Sequence, residues 1–311
     1  VVSCTSAITA CGSQWEMALR LLGELPLHGL AADVVTFNAA MDACAKGLRW
    51  QIAMELLNNV LGARLSPTTI TYSTAISACE RAQEWMQALQ LMEQALRTRT
   101  SLHVPAHNAL ISALEKGQQW ESALWLLDGM ERRSMTPTVV TYSAAISACE
   151  KCRQWERALQ LLAIMQNRDV KPNVVTFSAA ISACEKCHQW EQAFLLLEEM
   201  LSRRILPNLV TYSACVSACE DGAQWSQALR LLDAMLRDGI VPGVTSYNSA
   251  LSACDKGQQW ERTLQLFLDM EHVVVLVDAI SYSSAISACG RGGEWRRVLC
   301  LLEDMKRRVC E

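Results

Sequence analysis

Apolar residues recur with helical spacing in short stretches that polar segments separate. Residues 174–208 show the pattern most clearly, with two stretches that use steps of three, one and three. The apolar positions are Phe177, Ala180, Ile181 and Cys184, then Trp190, Ala193, Phe194, Leu197 and Met200. This spacing predicts two one-sided helices of about eleven residues each. A polar turn is predicted at 185–189, and Pro207-Asn208 predicts a helix stop followed by a cap residue.

The same pattern returns every 35 residues along the chain. Tryptophan marks it at 15, 50, 85, 120, 155, 190, 225, 260 and 295. A second series has Phe37, Tyr72, Tyr142, Phe177, Tyr212, Tyr247 and Tyr282, with His107 in the gap, and a third has Cys44, Cys79, Cys149, Cys184, Cys219, Cys254 and Cys289, with Leu114 in the gap. Three series in one register indicate internal duplication.

Nine repeats fill the whole chain in this register. They start at Val1, Val34, Thr69, Val104, Val139, Val174, Leu209, Val244 and Ala279. Seven have 35 residues, the first is two residues shorter in its turn, and the last is cut at Glu311. Because neither helix of a repeat can bury its apolar stripe alone, the repeats must stack. The sequence predicts an all-α solenoid, with 1–311 as a single domain.

Composition narrows the class of protein. Hydrophobic residues make up 51% of the 311 residues, which argues against disorder. No run of 18 apolar residues occurs, so no membrane span is expected. Lys and Arg number 28 against 32 Asp and Glu, a net charge of −4 that by itself argues weakly against nucleic acid. The chain begins at Val1 without Met, as a fragment or mature segment does, so any targeting peptide would lie outside it.

Chemistry-bearing motifs are scarce. Most of the fourteen cysteines fall at one repeat position, which predicts reduced core thiols in an intracellular compartment. Cys149-x₂-Cys152 and Cys184-x₂-Cys187 resemble a zinc pair, but duplication explains their spacing. The five histidines lie in unrelated settings, and no glycine-rich phosphate loop is present. We expect no catalytic residues, no metal, no cofactor and no small-molecule substrate.

A period of 35 with two helices, an opening V-V-T-Y/F and a closing Met-x₆-Pro-Asn/Asp resembles the pentatricopeptide repeat over all 311 residues. The recurring Trp, where that family usually has a smaller residue, and the repeats at Thr69 and Ala279 depart from its pattern. The resemblance implies a right-handed superhelix whose first helices line the concave face. Single-stranded RNA would lie there, about one nucleotide per repeat. It also implies a mitochondrial or plastid location and an RNA-processing enzyme as a possible partner.

By the resemblance, the fifth and last residues of each repeat read the base edge. The fifth residues are Thr5, Asn38, Ser73, Asn108, Ser143, Ser178, Ser213, Asn248 and Ser283, and the last residues are Asp33, Thr68, His103, Thr138, Asn173, Asn208, Gly243 and Asp278. Restriction of the fifth position to short neutral hydrogen-bonding side chains favours base reading, because a solvated helix face would include better helix formers. Backbone bonding in the first helical turn is the alternative for the fifth residues, and N-capping is the alternative for the last.

The second residues of the repeats are predicted to pack against base planes. Those assigned this role are Val2, Val35, Ile70, Val140, Val175, Val210 and Ile280. Ordinary core packing or stiffening of the helix start is the alternative. The Trp series, by contrast, is expected to pack helix against helix rather than against bases.

A row of basic residues at the thirteenth position is predicted to contact phosphates. Its members are Lys46, Arg81, Lys116, Lys151, Lys186, Lys256 and Arg291, with Asp221 as a weak point. The preceding residue is usually acidic, so local pairing between the two is the alternative.

The family's pairing rules assign G to Thr5/Asp33, A to Ser143/Asn173 and Ser178/Asn208, and U to Asn248/Asp278. The fifth residue alone guides the other repeats, which gives the hypothesis 5′-G-Y-R-Y-A-A-R-U-R-3′. A protein-interaction scaffold without RNA remains the competing function, since stacked helices also offer a peptide groove.

Overall fold

The computed structural model describes residues 2–28, 30–272 and 277–309. The chain divides into two compact units, Val1–Cys152 and Arg153–Glu311. Within the described residues every regular element is helical. Odd-numbered helices open the repeats and are called first helices, and even-numbered helices close them and are called second helices.

The first unit contains nine α-helices among its described residues. These are α1 (Val2–Ala10), α2 (Trp15–Glu24), α3 (Val34–Lys46), α4 (Trp50–Gly62), α5 (Thr69–Arg81), α6 (Trp85–Arg97), α7 (Val104–Lys116), α8 (Trp120–Arg132) and α9 (Val139–Lys151). A short 3₁₀ turn, Pro26–His28, follows α2.

The second unit begins with a second helix and also contains nine α-helices among its described residues. These are α10 (Trp155–Asn167), α11 (Val174–Lys186), α12 (Trp190–Ser202), α13 (Leu209–Asp221), α14 (Trp225–Arg237), α15 (Val244–Lys256), α16 (Trp260–His272), α17 (Ala279–Arg291) and α18 (Trp295–Val309).

Helices α3 to α18 are longer than the predicted eleven residues, whereas α1 and α2 have 9 and 10. Helix α11, for example, has 13 residues and includes Glu185 and Lys186, which the sequence placed in the turn. The turn therefore occupies only 187–189. Helix α12 ends at Ser202, because Arg204 takes a left-handed φ of 58°, and Pro207 lies in the extended link beyond it. Asn208 caps α13 as predicted.

Six of the first helices start at a cap built from two polar residues three positions apart. Asn208 accepts a hydrogen bond from the backbone N–H of Thr211, and the Thr211 hydroxyl accepts one from the Asn208 backbone N–H. Such reciprocal capping satisfies donors that a helix start otherwise leaves without partners. The same box recurs at α5, α9, α11 and α17. This explains why the last residue of one repeat defines where the next repeat begins.

The core of each unit lies between its first and second helices. First helices contribute buried aromatic, Ala, Ile and Cys side chains, among them Tyr142, Phe177 and Ile181, each 0% exposed. Second helices contribute Ala, Leu and Met, such as Ala193 and Met200, each also 0% exposed. The apolar stripes predicted from the sequence are therefore the buried faces.

The two helix layers pack differently. Each first helix packs against the first helices before and after it in its unit, for example α5 against α3 and α7. Second helices contact the first helix of their own repeat and that of the next, whereas within the described part of either unit they make no close backbone contact with one another. First helices thus form a continuous layer in each unit, with second helices as separate ribs on its back.

The tryptophan at the start of each second helix lies at the seam between repeats. A Cβ atom added to Gly117 would clash with the Trp85 ring. A Cβ atom on Gly222 or Gly257 would clash in the same way with the ring of Trp190 or Trp225. Most of these rings are half-buried rather than fully buried, so the prediction that they are core residues was only partly correct. Trp295, at the start of α18, is 63% exposed.

The cysteine row is buried, as predicted. Cys44, Cys79, Cys149, Cys184, Cys219, Cys254 and Cys289 are each 0% exposed. Burial raises the pKa of Cys44 and Cys254 to about 11 and that of Cys184 to about 12, because a thiolate is poorly solvated there. Small apolar thiols suit this tightly packed position.

Candidate nucleic-acid interface

The first helices of each unit carry a line of polar contacts across five of the described seams. We call this line, made by positions 5 and 35 of one repeat and position 3 of the next, the polar seam. Ser178 shows it well, because its hydroxyl lies 2.7 Å from the Thr211 hydroxyl and donates to Asn208 Oδ1 at 3.5 Å. Position 5 of a repeat and its last residue therefore meet side by side. Their pairing, which the family resemblance implied, is a contact in this structure.

Two asparagines make the same contact with more bonds. Asn248 donates from Nδ2 to both carboxylate oxygens of Asp278 at 3.1 Å, and its Oδ1 accepts from Ser281 at 2.6 Å. Asn108 donates weakly to Thr138 at 3.4 Å and accepts from Thr141 at 2.6 Å. These amides are consequently fixed in orientation before any ligand binds.

For the other fifth residues with a described bond, the hydrogen-bond partner depends on which residue occupies position 3 of the next repeat. Thr5 lies 3.1 Å from the Thr36 hydroxyl, and Ser213 lies 2.9 Å from that of Ser246. Where position 3 is Ala106, no hydroxyl is offered, and Ser73 donates instead to the Thr69 carbonyl at 2.7 Å. Back-bonding to the helix, the alternative considered for these residues, thus occurs at Ser73.

Burial divides the fifth residues further. Asn38, Ser143 and Ser178 are 9%, 9% and 6% exposed, so only an edge of each is accessible. The Oδ1 atom of Asn38 has no hydrogen-bond partner among the described residues. Ser283, in α17, is exposed.

The last residues of the repeats cap helices as well. Asp33, Thr68, Thr138, Asn173, Asn208 and Asp278 accept from the backbone N–H of the third helical residue, whereas His103 and Gly243 make no side-chain cap. Hydrogen bonds from the Thr36 side chain and backbone lower the pKa of Asp33. Burial acts to raise the pKa of Asp278, but bonds from Ser281 and Asn248 outweigh it and lower the pKa. Both carboxylates are therefore ionised acceptors at neutral pH.

The second residues stand out from the first-helix layer as exposed apolar side chains. Val35, Ile70, Val140, Val175, Val210 and Ile280 are between 56% and 65% exposed. The core-packing alternative for these residues is therefore wrong. The side chain of Val2 lies outside the described residues. Isolated exposed β-branched residues at the start of six of the first helices offer flat apolar contacts.

The basic residues at position 13 are paired with acids from the preceding repeat. Lys116 contacts Glu80 at 2.9 Å, Lys151 contacts Glu115 at 3.0 Å, and further along Arg291 contacts Asp255 at 2.9 Å. Lys256 and Glu220, 3.1 Å apart, make the same pair. We call these position-12 acids and position-13 bases the charged ladder. The sequence suggested pairing within one repeat, but the partners belong to consecutive repeats.

The ladder has three exceptions among the described residues. Lys46 pairs within its own helix, at 2.7 Å from Asp42. Arg81 is exposed and faces a repeat whose position 12 is Ala45, so no ladder acid is available. Asp221 reverses the sign of position 13 and is bound instead by His188, with Nδ1 2.8 Å from Oδ2. The predicted weak point therefore has a partner of its own.

Metal and membrane chemistry have no support in the described residues. No group of three or more His, Cys, Asp or Glu side chains there is arranged to hold a metal ion. The thiols of Cys152 and Cys187 donate to the carbonyls of Gln118 and Arg153 at 3.2 Å. None of the described helices combines the length and apolar character that a membrane span requires.

Sequence models of one family match most of the chain. The pentatricopeptide repeat domain model matches 20–81, 91–152 and 230–294, the PPR repeat family model matches 137–186 and 174–221, and the PPR repeat model matches 210–240 and 280–310. The chain belongs to the pentatricopeptide repeat family. No curated protein is matched by sequence.

Solved pentatricopeptide repeat structures share the fold. The crystal structure of PPR10 from maize is 25% identical and has a TM-score of 0.63, with 98% of this chain and 44% of that chain covered. PPR10 in complex with an 18-nt psaJ RNA element is 18% identical with a TM-score of 0.68, covering 99% of this chain and 50% of that one. The chain thus spans half the length of PPR10 or less. The predicted all-α solenoid fold is confirmed.

A further similarity concerns part of the chain. The structure of Arabidopsis thaliana nuclear protein-only RNase P 2 is 17% identical with a TM-score of 0.50. The match covers 53% of this pentatricopeptide repeat chain and 38% of the RNase P chain. At that identity the likeness concerns the helical fold.

Sequence reasoning missed two sets of residues. The buried position-3 hydroxyls, such as Thr176 and Thr211, both 0% exposed, were recognised as part of a motif but given no role. Their spacing of three from a cap residue is a capping-box signal that was available in the sequence. The position-12 acids were recognised as neighbours of the bases but assigned to the wrong partners.

Proposed function

We propose that this chain binds single-stranded RNA selectively, as one array of nine repeats with about one nucleotide per repeat. One observation carries the proposal: in three repeats the residues at positions 5 and 35 meet at the polar seam, and exposed apolar residues stand at position 2 of the same first helices. Family membership and a fold shared with PPR10, which has been crystallised with RNA, support it. RNA-binding proteins built from helical repeats read one unstacked base per repeat with two or three side chains.

The chemistry of each group suits this role. Asn and Ser side chains and the Asp278 carboxylate supply donors and acceptors for a Watson–Crick edge. The exposed second residues, Val175 and Val210 among them, supply apolar faces for base planes. The base-reading, base-sandwiching and phosphate-contacting roles of the residues named from the sequence are all part of this proposal.

The proposed target is 5′-G-Y-R-Y-A-A-R-U-R-3′, read in the order of the repeats. A selection from a random single-stranded RNA pool tests both binding and register. We expect enrichment of adjacent A residues opposite Ser143/Asn173 and Ser178/Asn208, followed two positions later by U opposite Asn248/Asp278. An enriched motif without the two adenines refutes the base assignment, and no enrichment at all refutes RNA binding.

The biological setting belongs to the same proposal. We infer a role in organellar RNA processing, stability or translation, in a mitochondrion or plastid, because the family resemblance implies it. Selective binding acts by masking or remodelling a transcript, or by placing a processing enzyme on it. Crosslinking followed by sequencing of the bound RNA from fractionated cells tests the location and the transcript together.

The competing function is a helical scaffold that binds protein rather than RNA. The charged ladder favours it, because ion pairs such as Lys116–Glu80 neutralise cations that phosphates would otherwise attract. Salt dependence separates the two functions. RNA binding through several phosphates requires affinity to fall steeply with ionic strength, with a slope of about 0.7 per phosphate for single strands.

A further inference from the structure

The charged ladder lies on the same helices as the polar seam, and its geometry suggests more than structural support. We propose that each position-12 carboxylate holds the position-13 cation of the next repeat and so limits how strongly that cation binds an RNA phosphate. The inference rests on the RNA-binding function proposed above. It makes the acids positioning residues that set affinity without touching a base.

Lys116 shows how completely a cation is engaged. Its ammonium donates to Glu80 Oε1 at 2.9 Å and to the Glu80 backbone carbonyl at 3.1 Å. An ammonium has three donors, so one remains for a phosphate oxygen. The Ser112 hydroxyl also donates to Glu80 Oε1, at 3.0 Å, and fixes the carboxylate in place. A phosphate must therefore use the last donor or displace the carboxylate.

The arrangement recurs in the second unit. Glu220 receives Lys256 at 3.1 Å and the Ser252 hydroxyl at 2.8 Å. Where the acid is the shorter Asp255, the base is the longer Arg291, which reaches both the carboxylate at 2.9 Å and the Asp255 carbonyl at 3.2 Å. The shorter acid is matched by a longer base, so the ion pair between consecutive repeats forms with Glu and Lys as well as with Asp and Arg.

Arg81 is the natural exception that defines the contrast. Its preceding position 12 is Ala45, and Arg81 makes no hydrogen bond or ion pair in the part of the chain that the structure describes. Ser77, at the position equivalent to Ser112, is nevertheless present on the Arg81 helix. Ala45→Glu therefore adds the missing carboxylate to a seam that already has the hydroxyl of Ser77 and the cation of Arg81. Among the described seams, this is the one where the position-13 cation has neither a position-12 acid in the preceding repeat nor an acidic partner on its own helix.

The first experiment releases three cations. Glu80→Gln, Glu115→Gln and Glu220→Gln are combined in one protein, because each substitution keeps the shape of the side chain and removes its charge. The matched control combines Glu121→Gln, Glu191→Gln and Glu261→Gln, three exposed residues at the starts of second helices with the same total change of charge. Binding to the oligonucleotide 5′-GUAUAAGUA-3′ is measured from 50 to 400 mM KCl, values chosen to span about one decade of ionic strength.

We expect the ladder variant to bind more tightly than the control variant. An exposed ion pair contributes little, so each release raises affinity about two- to fivefold, and three releases raise it roughly tenfold or more. The plot of log K against log salt steepens by up to about 2, at about 0.7 for each additional phosphate contact. A merely structural role predicts no such change in slope.

The second experiment runs in the opposite direction. Ala45→Glu is expected to pair with Arg81, to lower affinity for the same RNA about two- to fivefold and to make the salt plot shallower by about 0.7. Combining it with Arg81→Gln is expected to lower affinity no further than Arg81→Gln alone, because the cation is then absent. Circular dichroism and thermal melting establish that each variant is folded.

The outcomes separate this inference from the function on which it rests. If the wild type binds RNA and the ladder variant matches its control in affinity and slope, the inference is wrong and RNA binding stands. Loss of affinity in the folded ladder variant is equally contrary to the inference, because it shows that the acids support binding. If the wild type binds neither the oligonucleotide nor any RNA from a random pool, the proposed function is wrong, and the inference fails with it.

Discussion

At the scale of single residues, Gly117 at position 14 lies against the tryptophan of the preceding repeat, whereas other repeats carry Ala82, Cys152 and Cys187 at this position. Gly117 has a φ of −80°, which any residue can adopt, so its backbone does not require glycine. A Cβ atom there, however, meets the ring and Cβ of Trp85. The left-handed conformation belongs to the next residue, Gln118, with φ 56°. Glycine in the turn therefore reflects packing between repeats, which its own repeat does not reveal.

This restriction gives a paired stability prediction. Gly117→Ala is expected to destabilise the protein by about 1–3 kcal/mol through overpacking against Trp85. Gly129→Ala, in the middle of α8 with open space around its Cβ, is expected to stabilise it by about 0.5–1 kcal/mol. Thermal melting of the two variants measures opposite shifts. Equal shifts in the same direction would contradict the steric explanation.

On the proposed function, base selectivity also depends on single residues. Changing Ser178→Thr together with Asn208→Asp converts an A-type pair into the G-type pair found at Thr5/Asp33. A carboxylate only accepts hydrogen bonds, and the Watson–Crick edge of guanine offers donors. We expect preference at the sixth nucleotide to change from A to G while the other positions keep theirs. Binding to RNAs that differ only at that nucleotide provides the measurement, and a general loss of affinity would instead indicate damage to the cap of α13.

At the scale of helices, one hydroxyl supports two elements. Thr211 is 0% exposed, completes the capping box of α13 and contacts Ser178 of the preceding first helix. The sequence predicted the helix periodicity and the cap residue because both depend on neighbours in the chain. It did not predict this second contact, since the partner lies 33 residues away and is adjacent only after the repeats have stacked.

Removing that hydroxyl tests its double role. Thr211→Val keeps the shape of the side chain and is expected to cost about 1–3 kcal/mol, because buried polar partners are left without a bond. The control is Thr74→Val, whose hydroxyl only returns to the Ile70 carbonyl of its own helix, and a change below about 0.5 kcal/mol is expected there. Chemical denaturation compares the two. Similar costs for both variants would show that the seam contact adds nothing to the cap.

At the scale of the whole molecule, duplication made most of the architecture predictable. The helix order, the buried cysteines and the polar identity of position 5 follow from what every repeat has in common. The charged ladder was assigned wrongly because adjacent acid and base in the sequence, such as Glu115 and Lys116, pair with different repeats. Their contacts span 36 residues and depend on how one first helix is offset against the next.

The buried thiols allow the stability of the array to be followed repeat by repeat. At pH 8 the thiols of Cys44, Cys184 and Cys254 stay protonated, since their pKa values are raised to about 11 or 12, and only thiolate reacts with iodoacetamide. Exposed Cys300 is expected to be alkylated first, and the buried row only as denaturant opens each repeat. Mass spectrometry of the labelled peptides measures the order. Rapid labelling of the buried row in native buffer would contradict the packing described.

The separation of the second helices has a practical consequence. Because these ribs contact only first helices within each described unit, their outward side chains do not depend on one another from one repeat to the next. Exposed positions on the ribs, such as Gln90, are therefore suited to carrying fluorophores, affinity handles or tethered cargo. Decoration of this kind leaves the opposite layer intact, so the same scaffold can be fitted with different accessories while its ligand preference is held constant.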